Sequence, residues 1–255
     1  MRAVPGFHGR VQRAADALAC AWPLPYGPGS MVSARSPTGC ILTGVALKLS
    51  ETQEAIIAAA EQMFGRLGVD AVSMRAIGAA AGSGNHYSVQ YHFGSKEGLI
   101  RAILLSRART LERYRGEFLA EATAAGKLND AHALIRALLM PMAMQTDANG
   151  RHSFASFAVH LYWHSKASAS WMESHEFSPM MLHILDLLRR LVDLPPDIKE
   201  ARLRNGTLYF LHVLIACDKA QETGNPQERP DEEFWTDAIG AITASYLAPL
   251  ATVGN

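Results

Sequence analysis

The chain has 255 residues, 49% of them apolar, enough to bury a core as one large or two modest domains. Its 24 basic and 24 acidic residues cancel, so any attraction to nucleic acid must come from local charge and not from bulk charge. Three scattered cysteines, Cys20, Cys40 and Cys217, form neither a disulfide framework nor a metal-type spacing, which fits a reducing cytoplasm. No apolar run reaches the ~18–20 residues that cross a bilayer, and the first thirty residues carry no continuous apolar signal region, so no membrane partner is expected.

Residues 1–48 hold five prolines and six glycines, and Arg2, Arg10, Arg13, Arg35 and Lys48 oppose the single acid Asp16. Such a segment reads as a disordered basic extension, with Met31 as a second candidate start; a basic arm adding phosphate contacts is the sharper alternative. Helical periodicity begins at Thr52. Ile56, Ala60, Met63, Phe64 and Leu67 recur at spacings of three and four, and Gly68 sits where a helix cap is expected. Ser73 can cap a short helix with Met74, Ile77 and Ala81 on its buried side. A second short helix is predicted over Asn85 to His92, stopped by Gly94. Ser95 then caps a long helix from Lys96 to about Ala122, with Glu97 placed favourably at its start.

Further helices are predicted over Ala131–Gln145, with Leu134, Leu138 and Leu139 buried and a kink at Pro141, then Ser153–His164 and Pro179–Val192. The last two cover Asp197–Ala220 and Glu233–Leu247, separated by a polar loop. No alternating strand pattern persists, so the fold class is all-α: a three-helix unit over 49–100 followed by a helical domain over 101–250.

Two short helices around the turn Gly82–Ser83–Gly84 make a helix-turn-helix, whose second helix meets base edges in the major groove. Val89 and Phe93, four apart, anchor that helix to the core. Asn85, His86, Tyr87, Ser88, Gln90 and Tyr91 crowd a helix too short to bury them all, and Asn and Gln suit adenine edges while Tyr and His suit phosphates or bases. Ser73, Arg75 and His92 complete the candidate DNA-binding set, with Lys96 as a phosphate clamp beside the free N–H groups of the next helix. From Lys48 to Arg115 nine basic residues face six acidic ones, a small excess that calls for a focused patch.

The run TQEAIIAAAEQMFGRLGVDAVSMRAIGAAAGSGNHYSVQYHFGSKEGLI resembles the N-terminal domain of the TetR family of bacterial transcriptional regulators. The phased SMRxIxxxAG and YHFGSKExL segments carry the likeness over about 52–105. Between the turn and YHF this chain is one residue longer than the commonest family pattern; Tyr91, His92, Phe93, Gly94 and Lys96 match by motif. The resemblance implies a double-stranded DNA operator and a C-terminal half that binds a small molecule and forms a homodimer; no cofactor and no enzymatic activity are expected.

In that half, Phe157, His160, Trp163, His164, Trp171 and His175 are candidate ligand-binding residues, an aromatic lining with polar handles, though such stripes usually fill interiors. His160 and His164 are four apart with His175 and His183 beyond, which raises a metal- or haem-sensing alternative in which the helix-turn-helix is vestigial. No cysteine or paired carboxylate completes a shell, so no metal is assigned. No nucleophile–base pair, phosphate loop or dinucleotide fingerprint is present. Leu203, Thr207, Phe210, Leu214 and Cys217, with Trp235, Ile239, Ile242 and Tyr246, form stripes on the last two helices. Gly206, Ala216, Gly240, Ala241 and Ala244 permit close approach, as a four-helix dimer interface would need.

Overall fold

The structure is a computed structural model that describes residues 49–83, 85, 87–163, 178–223 and 231–250. The expected extension over 1–48 lies outside them, as do residues 224–230 of the expected polar loop over 221–233; the described ends of that loop belong to the flanking helices. Among the described residues the regular structure is all helical. Helix α1, Glu51–Leu67, begins with a reciprocal cap: Ser50 Oγ accepts from Gln53 N at 3.3 Å, and the Gln53 side chain accepts from Ser50 N at 2.9 Å. It buries Ile56, Ile57, Ala60 and Phe64, but Leu67 is 60% exposed and Glu61 only 1%. The buried face follows the line 57–61–64 because another helix packs there, and Leu67 is turned to solvent at the helix end.

Helices α2, Met74–Ala80, and α3, Ser88–Phe93, complete the head, and α4, Lys96–Ala124, leaves it as a single 29-residue rod. Its first turns bury Leu99, Ile100, Ile103 and Leu104, and its later ones Leu111, Arg115, Phe118, Leu119 and Ala122. A division near residue 100 therefore falls inside α4.

The body adds α5, Ala131–Ala143, α6, Ser153–Trp163, α7, Pro179–Leu191, α8, Pro196–Thr223, and α9, Glu232–Leu247. Asp130 caps α5, its carboxylate accepting from His132 N at 2.9 Å. That helix continues only two residues past Pro141 and stops short of Gln145. Helix α6 lies against α1, the most extensive helix pairing among the described residues. One hydrophobic core runs without a break from Ile56 in the head to Tyr246 in α9.

The stripes expected to face a second subunit are mostly inside this one. Leu203, Phe210, Leu214 and Cys217, with Ile239, Ile242 and Tyr246, are buried in the chain's own core. Gly206 serves that packing too, because a Cβ there would stand 2.7 Å from Ile242 Cγ2. The opposite faces remain open. Tyr209, His212 and Ala216 on α8 and Ala241 and Ala244 on α9 are exposed, and Gly240 has nothing within 4 Å of a Cβ position.

Candidate nucleic-acid interface

The head presents α3 through a chain of local hydrogen bonds. Ser73 Oγ accepts from Ala76 N at 3.1 Å and starts α2, so this hydroxyl is committed to a cap. Gly82 takes φ +72, and Ser83 N returns to Gly78 O at 3.0 Å. Asn85 Oδ1 accepts from Tyr87 N at 2.9 Å, an Asx turn that holds Asn85 and Tyr87 out of the helix. The recognition helix therefore starts at Ser88, three residues later than the sequence pattern predicts. Gly94, at φ +72, ends it, and Ser95 Oγ accepts from Gly98 N at 3.1 Å to open α4. A Cβ at Gly98 would collide with the Phe93 carbonyl oxygen, so a glycine is needed where α4 folds back on the end of α3.

This scaffold divides the candidate residues. Tyr87 is 73% and Tyr91 83% exposed, an unusual outlay of aromatic surface to water on a helix of six residues. Gln90, Arg75 and Asn85 are exposed beside them, and His92 is half-buried with its ring edge-on to Tyr91 at 5.1 Å. Ser88 is buried with Val89 and packs inward, so its place in the outward set is corrected: it belongs to the first turn that seats the helix. His86 lies outside the described residues. Lys96 is half-buried, and its Nζ donates to Val69 O at 2.9 Å, tying the start of α4 to the turn after α1. That leaves two ammonium N–H groups for any phosphate, so Lys96 is a strut first.

The described candidate ligand residues, Phe157, His160 and Trp163, do not face a common space. Phe157 is fully buried, its ring 6.0 Å from Phe64 and 6.1 Å from Phe154, at the contact of head and body. His160 is exposed on α6 opposite Gly68, whose Cβ position is 3.7 Å from His160 Nδ1. Trp163 is 71% exposed and meets Tyr162 edge-on at 5.1 Å. His164, Trp171 and His175 lie outside the described residues. Alpha-helical spacing put 157, 160 and 163 on one segment, but α1 covers only the face that bears Phe157.

What joins head to body was not legible as a motif. Glu61 of α1 accepts from Arg107 Nε of α4 at 2.6 Å and from the Ser153 hydroxyl at the start of α6. Gln62 Nε2 donates to Asp147 Oδ2 at 3.1 Å. Partial burial pushes the Asp147 carboxyl up, but the N–H groups of Arg151 and Asn149 and the Gln62 amide outweigh it and hold it below its ordinary value. Gly65 lets the two helices close: a Cβ there would lie 3.0 Å from Ser156 Cβ and 3.1 Å from Phe157 N. A cleft of about 330 Å³ opens beside this contact, between Ala55, Gln62, Ala81, Arg107 and Asp147. The available signal was Glu61 itself, a charge four residues from Ile57 and three from Phe64 on the buried line.

Deeper in the body, His152 N donates to Asp218 Oδ2 at 2.7 Å, its Nδ1 stands 2.6 Å from Asp218 Oδ1, and its Nε2 is 3.1 Å from Ala143 O. This pair fastens α6 to α8 one residue before Ser153 reaches Glu61. Arg115 of α4 is 2% exposed; burial pushes its guanidinium below the usual range against the pull of Glu112.

A three-helix head that exposes a tyrosine and a glutamine on its short third helix and a second tyrosine at that helix's N-cap, seated on a helical body, defines a helix-turn-helix protein. Residues 56–103 match the model described as bacterial regulatory proteins, tetR family. No curated protein matches the chain. Among solved structures, one described as a tetR family transcription regulator from Shewanella sp. PV-4 is similar at 21% identity over 74% of this chain and 97% of that chain, with a TM-score of 0.51. This shared fold includes both head and body. A multidrug binding protein, EbrR, complexed with ethidium is similar at 20% identity over 75% of this chain and 98% of that chain, with a TM-score of 0.41. A TetR-family regulator from Streptomyces coelicolor A3 is similar at 20% identity over 77% of this chain and 94% of that chain, with a TM-score of 0.36. No described helix is long and apolar enough to cross a membrane.

Proposed function

We propose that the protein is a ligand-responsive transcriptional regulator that represses by binding a palindromic operator as a homodimer. The observation that carries this reading is the outward face of α3 and its N-cap, where Gln90 and Tyr91 on the helix and Tyr87 just before it stand in solvent, held by buried Ser88 and Val89. Gln90 offers an amide to an adenine edge; the two tyrosines offer hydroxyls to phosphates or bases and rings to thymine methyls. Arg75 on α2 adds backbone charge.

A palindrome needs two such helices about 34–36 Å apart. The open small-residue face of α8 and α9, with Gly240, Ala241, Ala244 and the exposed Tyr209, favours a second copy there. Because Glu61, Gly65 and Phe64 lock head to body, a ligand that prefers one arrangement of the body selects one spacing of the recognition helices.

The test is a gel shift of the full chain on the DNA flanking its own coding region. Retarded bands that weaken with rising salt and vanish for Tyr91→Ala, with the melting temperature unchanged, are the expected result. Absence of retardation at low salt on any of that DNA would overturn the reading.

A further inference from the structure

Two side chains of the body are buried with polar atoms that find no partner: Arg115 at Nε, and Gln145 at both amide atoms. They are the only such residues among the described ones, and both lie outside the head. Arg115 occupies a core position. It continues the inner line Leu111, Arg115, Phe118, Ala122 of α4, whose other members are all apolar. A guanidinium placed there costs several kcal/mol unless its donors are satisfied, so an unpaired Nε–H calls for an explanation.

Its one described partner is already a carboxylate. Glu112 Oε1 accepts from Arg115 at 3.1 Å, and the same group accepts from Met180 N at 2.7 Å and more weakly from Met181 N at 3.4 Å, at the start of the 13-residue α7. Glu112 thus bridges a buried cation and a helix N-terminus, two features that both favour an anion. It lies one helical turn from Arg115, is 15% exposed, and can swing to water.

We propose that the helical body binds an organic carboxylate with an apolar remainder, whose charge pairs with Arg115 at the place the Glu112 side chain takes in the free protein. This rests on the reading of the body as effector-binding. Glu112, confined to the same helix, holds only the Nη1 edge of Arg115 and leaves Nε unpaired; a ligand carboxylate, free of that helix, can shift toward the edge that bears Nε–H. The apolar remainder lies along the Leu111–Phe118 line. Displaced Glu112 lets go of Met180 and Met181, and α4 loses a tie to α7. Because α4 also carries Arg107, the partner of Glu61, that release reaches the head through one continuous helix.

The experiment uses the full chain without DNA. Saturated carboxylates from butanoate to dodecanoate, with benzoate and 2-naphthoate, are titrated by calorimetry, each beside its own primary amide. The expected result is at least one acid that binds about tenfold or more tightly than its amide, since hydrogen bonds to charged groups carry that much. Arg115→Leu, which replaces a buried charge by apolar volume and should keep its helical spectrum, should reduce that preference to near unity. Glu112→Gln should tighten the acid and not the amide, because it removes the competing carboxylate. Acids that never outbind their amides overturn the proposal, as does an undiminished preference in Arg115→Leu. If Arg115→Leu does not fold, Glu112→Gln decides alone, and unchanged acid affinity there sinks the idea. Amides that bind and release the operator as well as acids leave the regulator reading intact while removing this one. A chain that never retards DNA removes the regulator reading without touching the acid preference.

Discussion

Glu61 and Arg107 meet at 2.6 Å with very different access to water: the glutamate side chain is 1% exposed and the arginine 24%. The asymmetry decides which partner is the costly one to lose. Without Arg107, Glu61 stays buried with only the Ser153 hydroxyl to offset its charge. Without the glutamate charge, Arg107 can turn to solvent. Arg107→Ala should therefore destabilise by about 3–5 kcal/mol, the range for stranding a buried charge. Glu61→Gln, which keeps the shape and a hydrogen-bonding group, should cost less, about 1–3 kcal/mol. Urea unfolding of both variants measures the order; a costlier Glu61→Gln would show that the arginine is the group in need.

Two glycines inside helices should respond in opposite directions to one added methyl group. At Gly116 in α4 a Cβ meets nothing within 4 Å, so Gly116→Ala should stabilise by about 0.5–1 kcal/mol through helix propensity alone. At Gly65 the same methyl presses on α6 at Ser156 and the Phe157 backbone, so Gly65→Ala should destabilise by about 1–3 kcal/mol despite the same propensity gain. Thermal unfolding of the pair checks this, and a Gly65→Ala that melts higher than wild type would show that α6 yields easily.

Lys96 holds the Val69 carbonyl and has N–H groups to spare. Lys96→Ala should lower stability by about 0.5–1.5 kcal/mol and also reduce the slope of log affinity against log salt on DNA by about one. A stability loss with an unchanged slope assigns the lysine to the fold alone.

Gly240→Leu puts a large side chain on a face with no neighbour inside the subunit. The monomer should fold with its melting temperature nearly unchanged at low concentration, while the dimer dissociation constant rises by tenfold or more, since overpacking costs ~1–3 kcal/mol per site and the two-fold repeats it. Sedimentation velocity reads this directly. A variant that remains dimeric below micromolar concentration would place the interface elsewhere.

Asp147 links head and body in a pH-dependent way. Its carboxyl titrates lower in the folded chain than in the unfolded one, so its contribution is present above the unfolded value and lost as pH falls through the folded one. The group is only half-buried, so screening limits the effect to about 1 kcal/mol or less. The melting-temperature gap between wild type and Asp147→Asn should be constant above pH ~5 and shrink below pH ~4. A gap that grows in acid would mean that the carboxylate is a burden in the folded state.

Local rules made much of this architecture readable. Ser73 and Ser95 announce helix starts by hydroxyls that accept from backbone N–H groups three residues on, and Gly68 and Gly94 announce helix ends by the positive φ they adopt; these marks need no knowledge of the rest of the chain. The exposure of Gln90 and Tyr91 follows from the same economy, because a helix of six residues that buries Val89 has no inner face left for them. The late start of α3 was hidden by Asn85, whose side chain replaces a helical hydrogen bond with an Asx turn of similar spacing. Phe157, His160 and Trp163 part company for a different reason: periodicity assigns residues to a face but is silent on which helix covers it, and here α1 arrives from ninety residues away. Glu61, Arg107, Arg115 and Gln145 break the apolar pattern singly, and a single polar residue in a stripe acquires meaning only when its neighbours in space are known.

The 29 residues of α4 span about 44 Å from the turn beneath α3 to the far end of the body. Over that span a tilt of about five degrees at one end moves the other by about 4 Å, close to the ~3.4 Å rise of one base pair. In the regulator proposed here, angular play in the body would be converted into base-pair-sized steps at the groove. Two subunits of the proposed dimer tilting in opposite senses would double the change in separation. A repacking too small to alter any helix would be enough to put the two reading heads out of phase with the double helix.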